Sequence, residues 1–141
     1  MKWVTWENIG IDRMGCAWLI LREIDPQAEF TFIPAGQLPL PEGLEPFDIP
    51  GVRLTHRHGH CTFHTMLYEY KLNDPLLHRI ASIIDEADVV QDVMVESVAA
   101  GMDFLCRGIR RISPDDHTAL ERGRLLYDAL YAQLANENLK A

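Results

Sequence analysis

The segment from residue 34 to residue 50 constrains the fold most, because it can continue neither a helix nor a central strand. It contains five prolines and two glycines. Proline removes a backbone donor and fixes φ, and glycine weakens any regular element that contains it. We therefore predict a long connecting loop here, between a short N-terminal part and a longer second part. Long loops in compact domains are often functional lids or rims.

Two short strands and one helix are predicted before this loop. Lys2 to Trp6 alternates in the manner of a strand, and Glu29 to Ile33 is rich in β-branched and aromatic residues. Between them, Asp12 can cap a helix whose apolar positions run to about Ile24. Asp25-Pro26 then ends that helix.

After the loop, the sequence changes to helical periodicity. Val52 to Arg57 is predicted as a third strand. Four helices are expected to follow it: from Thr62 to Tyr70, from Asn73-Asp74-Pro75 through Ala87, from Val98 to Ile109, and from Ser113-Pro114-Asp115-Asp116 onward. The fold class expected is α+β: a small N-terminal β-sheet and a mainly α-helical second half, in one domain spanning residues 1–141.

Composition excludes several classes of function. The formal net charge is −8, and the one basic run, Arg107-Gly108-Ile109-Arg110-Arg111, is short. Because nucleic-acid binding requires a basic face, we expect no nucleic-acid partner for this chain alone. No apolar run approaches the roughly 18 residues of a membrane span, and the N-terminus lacks the apolar region of a secretory signal. The three cysteines are widely spaced without a CxxC pair, which is typical of reduced thiols. We expect a cytoplasmic protein.

Histidines are concentrated in one stretch: four of the six lie between residues 56 and 64. Neutral imidazole is the commonest protein metal ligand and also titrates near neutral pH. The stretch is therefore a metal site, a proton-handling site or a polar turn. In an extended chain His56, His58 and His60 would share one face, and His60 and His64 are four residues apart. Because Gly59 indicates a turn, His58 and His60 are the most dispensable ligands.

A second group of candidates begins the first helix. A helix N-terminus binds anions, and Arg13 could add a bidentate donor there. Cys16, one turn in, would have its pKa lowered if it faced the same cleft. The alternative is that Asp12 is only a cap, Arg13 a surface charge and Cys16 a core residue. His117, which follows two acids, could supply a distant ligand or orient one.

Several of these stretches together resemble the ChrB-type chromate-resistance family, and specifically its C-terminal domain. The similarity extends from about residue 2 to residue 133. It is carried by Val4-Thr5, Ile11-Asp12-Arg13, Cys16-Ala17-Trp18-Leu19-Ile20, Phe47-Asp48-Ile49-Pro50-Gly51-Val52, His56, Cys61-Thr62-Phe63, Asp115-Asp116-His117 and Leu126-Tyr127-Asp128-Ala129-Leu130-Tyr131. The resemblance implies a role alongside chromate-resistance systems. Longer members carry an additional N-terminal part linked to chromate-responsive regulation. Since this chain begins at the domain, we expect no DNA-binding regulator.

Two departures from the family pattern affect the choice of ligands. Ala17 stands where the family usually has proline, and His64 stands where it usually has an acidic residue. Carboxylate and imidazole both bind zinc or iron. The resemblance therefore favours His56 and His64 as the ligand pair, with Asp12, Glu7 or His117 as a third member.

Three hypotheses follow. In the first, the chain is a small metal-binding protein that binds or senses a metal or oxyanion, with His56, His64, His60 and His117 as candidate ligands and zinc or iron as the divalent metal. In the second, the same site belongs to a metal-dependent enzyme that acts on a small anionic substrate, with Asp12, Arg13 and Cys16 as catalytic candidates. In the third, the chain contacts a protein partner through its helices and needs no metal. Leu125 and Leu126 further suggest a homodimer.

Overall fold

A computed structural model describes residues 1–89 and 93–140. Within these residues the chain forms a three-stranded sheet followed by a mostly helical region, as expected for the α+β class. The elements are β1 (Lys2–Trp6), α1 (Ile11–Leu19) continued by a π-helical turn (Ile20–Ile24), β2 (Glu29–Ile33), β3 (Glu45–Pro46), α2 (Thr62–Glu69), α3 (Pro75–Asp88), α4 (Ala99–Ile112) and α5 (Asp116–Lys140).

The sheet is parallel, with β1 in its centre and the order β2-β1-β3. Lys2 pairs with Glu29 at one end of β1 and Trp6 with Ile33 at the other. The prediction of a strand over Val52 to Arg57 is wrong, because the chain turns at Gly51 (φ 89°) and the segment forms only isolated bridges, of Leu54 with Phe47 and of Arg57 with His60. The third strand comes instead from the proline-rich loop. It is two residues long, and the Phe47 N–H just beyond it donates to the Val4 carbonyl at 3.0 Å.

Helix α1 occupies the centre of the core, and a glycine allows α5 to approach it. A Cβ on Gly15 would lie 2.7 Å from the Tyr127 hydroxyl oxygen. That hydroxyl is buried and donates to the Ile11 carbonyl at 2.6 Å. Trp18 stacks on the Tyr127 ring, and its indole N–H donates to Asp128 at 2.8 Å. This close contact fixes the N-terminal half of the chain against the last helix.

The later helices begin close to the predicted residues. Asp74 is the N-cap of α3 and accepts from the Leu76 N–H, while Cys61 rather than Thr62 is the N-cap of α2. Leu125 is exposed, whereas Leu126 packs partly against the core. None of the helices in the described ranges is long and apolar enough to cross a membrane.

Candidate metal centre

A cavity of about 530 Å³ opens at the carboxyl edge of the sheet. Trp6 is the last residue of β1, Asp12 lies near the start of the following helix, and Asp48 comes two residues after β3. All three line the cavity together with His56. The carboxyl ends of parallel strands are where open α/β sheets bind their ligands. The topology therefore brings together polar side chains that are far apart in the sequence.

Asp12 joins two helices at this edge. Its carboxylate is only 3% exposed and accepts from the backbone N–H groups of Thr62, at 2.9 Å, and of Phe63, at 3.1 Å. These N–H groups belong to the first turn of α2, which has no helical partners for them. The expectation that Asp12 caps its own helix is wrong, since the N-cap of α1 is Gly10. Asp12 instead caps α2, some fifty residues further along the chain.

His56 lies among three carboxylates. Its Nε2–H donates to Asp12 Oδ2 at 2.9 Å, and Nε2 is 3.5 Å from Asp48 Oδ1 and 3.8 Å from Asp88 Oδ2. The hydrogen bond to Asp12 raises the pKa of His56 to about 9, although partial burial acts in the opposite direction. Without a metal, His56 is therefore an imidazolium near neutral pH.

Asp48 is held from two sides. Its Oδ1 accepts from the Thr62 hydroxyl at 2.6 Å, and Arg13 Nε lies 3.2 Å from its Oδ2. Burial, and then the charge of Asp12, raise the pKa of Asp48 to about 7 despite Arg13. The pKa of Asp88 is raised by the same two causes, burial first. The three carboxylates, of Asp12, Asp48 and Asp88, thus outnumber the two neighbouring cationic side chains, of Arg13 and His56.

Asp12, Asp48 and His56 form a set that could hold a metal ion. One ligand atom from each residue lies within 4.8 Å of the others. We call these three residues the Asp–His site. Arg13 also lines the cavity; its Nη2 donates to the Asp48 carbonyl at 2.9 Å, and its guanidinium lies 5.6 Å from the centre of the Trp6 ring. The Trp6 indole nitrogen is buried without a hydrogen-bond partner in the described part of the chain.

The structure does not bring His64 to His56. Among the described residues, His64 is outside the Asp–His site, and its ring stacks on His60 with 4.0 Å between centroids. His60 in turn donates from Nδ1 to Asp85 Oδ2 at 2.7 Å. His58 is exposed in a tight turn with Gly59, where both residues have positive φ.

The remaining candidates do not line the cavity beside the Asp–His site. Cys16 is buried, and its Sγ–H donates to Asp12 at 3.5 Å. Burial, followed by the charge of Asp12, raises the pKa of Cys16 well above its ordinary value, which is opposite to the lowering expected from the sequence. His117 packs edge-on against Phe32, with 4.9 Å between centroids. Glu7 lines a different cavity, beside the start of α5.

Asp48 and Asp88 were not selected from the sequence. Asp48 was not selected because the proline-rich loop has no sequence pattern that predicts a strand before it. A carboxylate just after a strand of a parallel sheet is the signal that could have identified it. Asp88 ends α3, and only the packing of that helix brings it to within 3.8 Å of His56.

Comparison with known proteins identifies the family of this chain. Residues 3–134 match the family model described as ChrB, C-terminal domain. Protein ChrB of Cupriavidus metallidurans (strain CH34) is 30% identical over 136 residues, which cover 96% of this chain and 41% of that protein. The chain thus spans less than half the length of this curated relative. No solved structure matches the chain. The family predicted from the sequence is confirmed: the chain belongs to the family of ChrB C-terminal domains.

Proposed function

We propose that this domain binds a divalent cation, zinc or iron, at the Asp–His site, and that it binds or senses metal or oxyanion within chromate resistance. The observation that carries the proposal is the convergence of three ligand atoms within 4.8 Å at the wall of an open cavity. Two carboxylates and one imidazole form a mixed oxygen and nitrogen donor set. Zinc and iron accept such a set, whereas calcium and magnesium take oxygen ligands.

Electrostatics supports a cation here. Three carboxylates surround the nitrogen of His56, and two of them have raised pKa values because burial and the charge of Asp12 disfavour their ionised forms. A divalent cation would take the place of the proton on His56 and stabilise these carboxylates together. Metal binding of this kind releases protons, because imidazole and carboxylate ligands bind in their deprotonated forms.

The same charges argue against direct binding of an oxyanion by the side chains. An anion in this cavity would meet Asp12, Asp48 and Asp88, while the nearby guanidinium of Arg13 is already paired with Asp48. Like charges at such distances repel strongly in a partly buried site. We therefore assign the cation as the primary ligand, and an oxyanion as a group that enters only when the cation is present.

The alternative is a metal-dependent enzyme acting on a small anionic substrate at the same place. One observation favours it: the set has three protein ligands and borders a cavity of about 530 Å³. Catalytic zinc sites typically have three protein ligands and an open position, whereas structural sites have four. A bound cation would there supply Lewis acidity. X-ray absorption of the zinc-loaded protein would count the ligands and separate the two functions.

The experiment is a zinc titration of protein that has been stripped with EDTA and dialysed. Asp48→Asn and His56→Gln each remove one ligand but keep the shape of the side chain, and each should lose one equivalent of Zn²⁺ or weaken its binding at least tenfold. Asp12 is not the residue to change first, because it also caps α2. His117→Gln is the matched control, since His117 lies against Phe32 and should leave binding unchanged. Wild-type binding by both Asp48→Asn and His56→Gln would refute the proposal.

A further inference from the structure

We propose a second metal site, separate from the Asp–His site, at His60 and His64. We call these two residues the imidazole site. Its expected ligand is a transition-metal ion that prefers nitrogen donors, such as Zn²⁺, Ni²⁺ or Cu²⁺. A second site would explain why histidines are concentrated in this stretch although only His56 takes part in the first site.

A buried carboxylate orients His60. The Nδ1–H of His60 donates to Asp85 Oδ2 at 2.7 Å, and Asp85 is fixed because its Oδ1 accepts from the Cys61 N–H, also at 2.7 Å. The Asp85 side chain is only 7% exposed. A carboxylate that holds one imidazole nitrogen is the usual arrangement behind metal-binding histidines, because it fixes the tautomer and the ring. It leaves the Nε2 lone pair of His60 available to an ion.

His64 presents the second imidazole. It lies in the first turn of α2, and its ring is nearly parallel to that of His60, with an interplanar angle of 16°. Neither of its ring nitrogens makes a hydrogen bond within the described part of the chain. Partial burial, and then the neighbouring His60, lower the pKa of His64. A neutral imidazole with a free nitrogen is the form that binds metals.

The spacing of the two rings suits one ion. Zinc lies about 2.0–2.1 Å from each imidazole nitrogen, so two nitrogens on a tetrahedral ion are roughly 3.4 Å apart. The ring centroids are 4.0 Å apart, so one nitrogen of each ring can reach a common ion once the two side chains rotate out of their stacked arrangement and turn their in-plane lone pairs toward each other. Both rings border a cavity of about 390 Å³ that is also lined by His58, which offers a third imidazole.

The two sites differ in their donors, which makes the inference testable. The Asp–His site offers one nitrogen, whereas the imidazole site offers at least two. Cu²⁺ is the probe, because its electron paramagnetic resonance spectrum reports the number of bound nitrogens. The measurement is made on full-length Asp48→Asn protein, in which the first site is weakened. We expect Cu²⁺ bound by two or more nitrogens.

His64→Gln, added to Asp48→Asn, keeps the His60–Asp85 pair and should weaken Cu²⁺ binding at least tenfold while reducing the nitrogen count. His117→Gln in the same background is the control and should change neither. An unchanged affinity and nitrogen count in the His64→Gln protein would overturn the inference. Loss of all Cu²⁺ binding in Asp48→Asn alone would also overturn it, because the ion would then occupy only the first site. If the first proposal fails instead, Asp48→Asn leaves zinc binding unchanged and His64→Gln removes it.

Discussion

Replacement of Asp12 by alanine should destabilise the fold far more than the loss of an ordinary helix cap. The carboxylate accepts from two buried backbone N–H groups of α2 and from His56. The substitution leaves these N–H groups without a partner and His56 without its closest counterion. Hydrogen bonds to a charged group contribute about 1.5–3 kcal/mol each, whereas the ion pair with the half-exposed His56 contributes only about 1 kcal/mol. Because these terms overlap, we expect a total loss of about 4 kcal/mol.

Urea unfolding in EDTA measures this loss without any contribution from bound metal. With a slope of about 1.5 kcal/mol per molar urea, the midpoint should fall by about 2–3 M. Asp115→Ala is the matched control, because Asp115 is an exposed acid whose Oδ1 accepts from the Thr118 N–H at the start of α5. It should cost about 1 kcal/mol. A loss for Asp12→Ala no greater than for Asp115→Ala would refute the proposed role of Asp12.

Two further predictions concern packing and pH. Gly15→Ala should cost about 1–3 kcal/mol in thermal unfolding, because the new Cβ would lie 2.7 Å from the Tyr127 hydroxyl oxygen. In the control Gly101→Ala on α4, the new Cβ meets no atom within 4 Å and should stabilise the fold by up to about 1 kcal/mol. Equal changes in stability for the two variants would contradict the close contact at Gly15. Because the pKa of His56 is raised to about 9, its protonated ring should stabilise the metal-free protein. This contribution should be fully present below pH 6.5 and should be lost as the pH rises through about 9. Because the ring is 46% exposed, solvent reduces the effect to about 1 kcal/mol; a stability difference between wild type and His56→Gln that stays constant from pH 6 to pH 10 would contradict it.

Local signals in the sequence identified most of the secondary structure. Strands β1 and β2 match the predicted ranges, and Asp74-Pro75 begins α3 as expected. Each of these elements has its signal within a few residues: alternation for a strand, a cap and a proline for a helix start. The predicted turn at Gly59 is also confirmed by its positive φ.

The site was harder to predict because its contacts are long-range. The partners of Asp12 lie 50 and 51 residues further along the chain, and no local pattern indicates which helix a carboxylate will cap. Asp48 follows a two-residue strand inside a proline-rich loop, where periodicity has no meaning. Imidazoles close in sequence were expected to act together, yet a sharp turn at His58 separates His56 from the stacked His60 and His64.

The central claim is that a divalent cation binds between Asp12, Asp48 and His56. Crystals grown with Zn²⁺ and measured at the zinc absorption edge test it directly. The account predicts an anomalous peak within about 2.0–2.2 Å of one ligand atom from each of the three residues. Zinc-soaked crystals with no peak there, in which His56 Nε2 still donates to Asp12 Oδ2 at 2.9 Å, would contradict it.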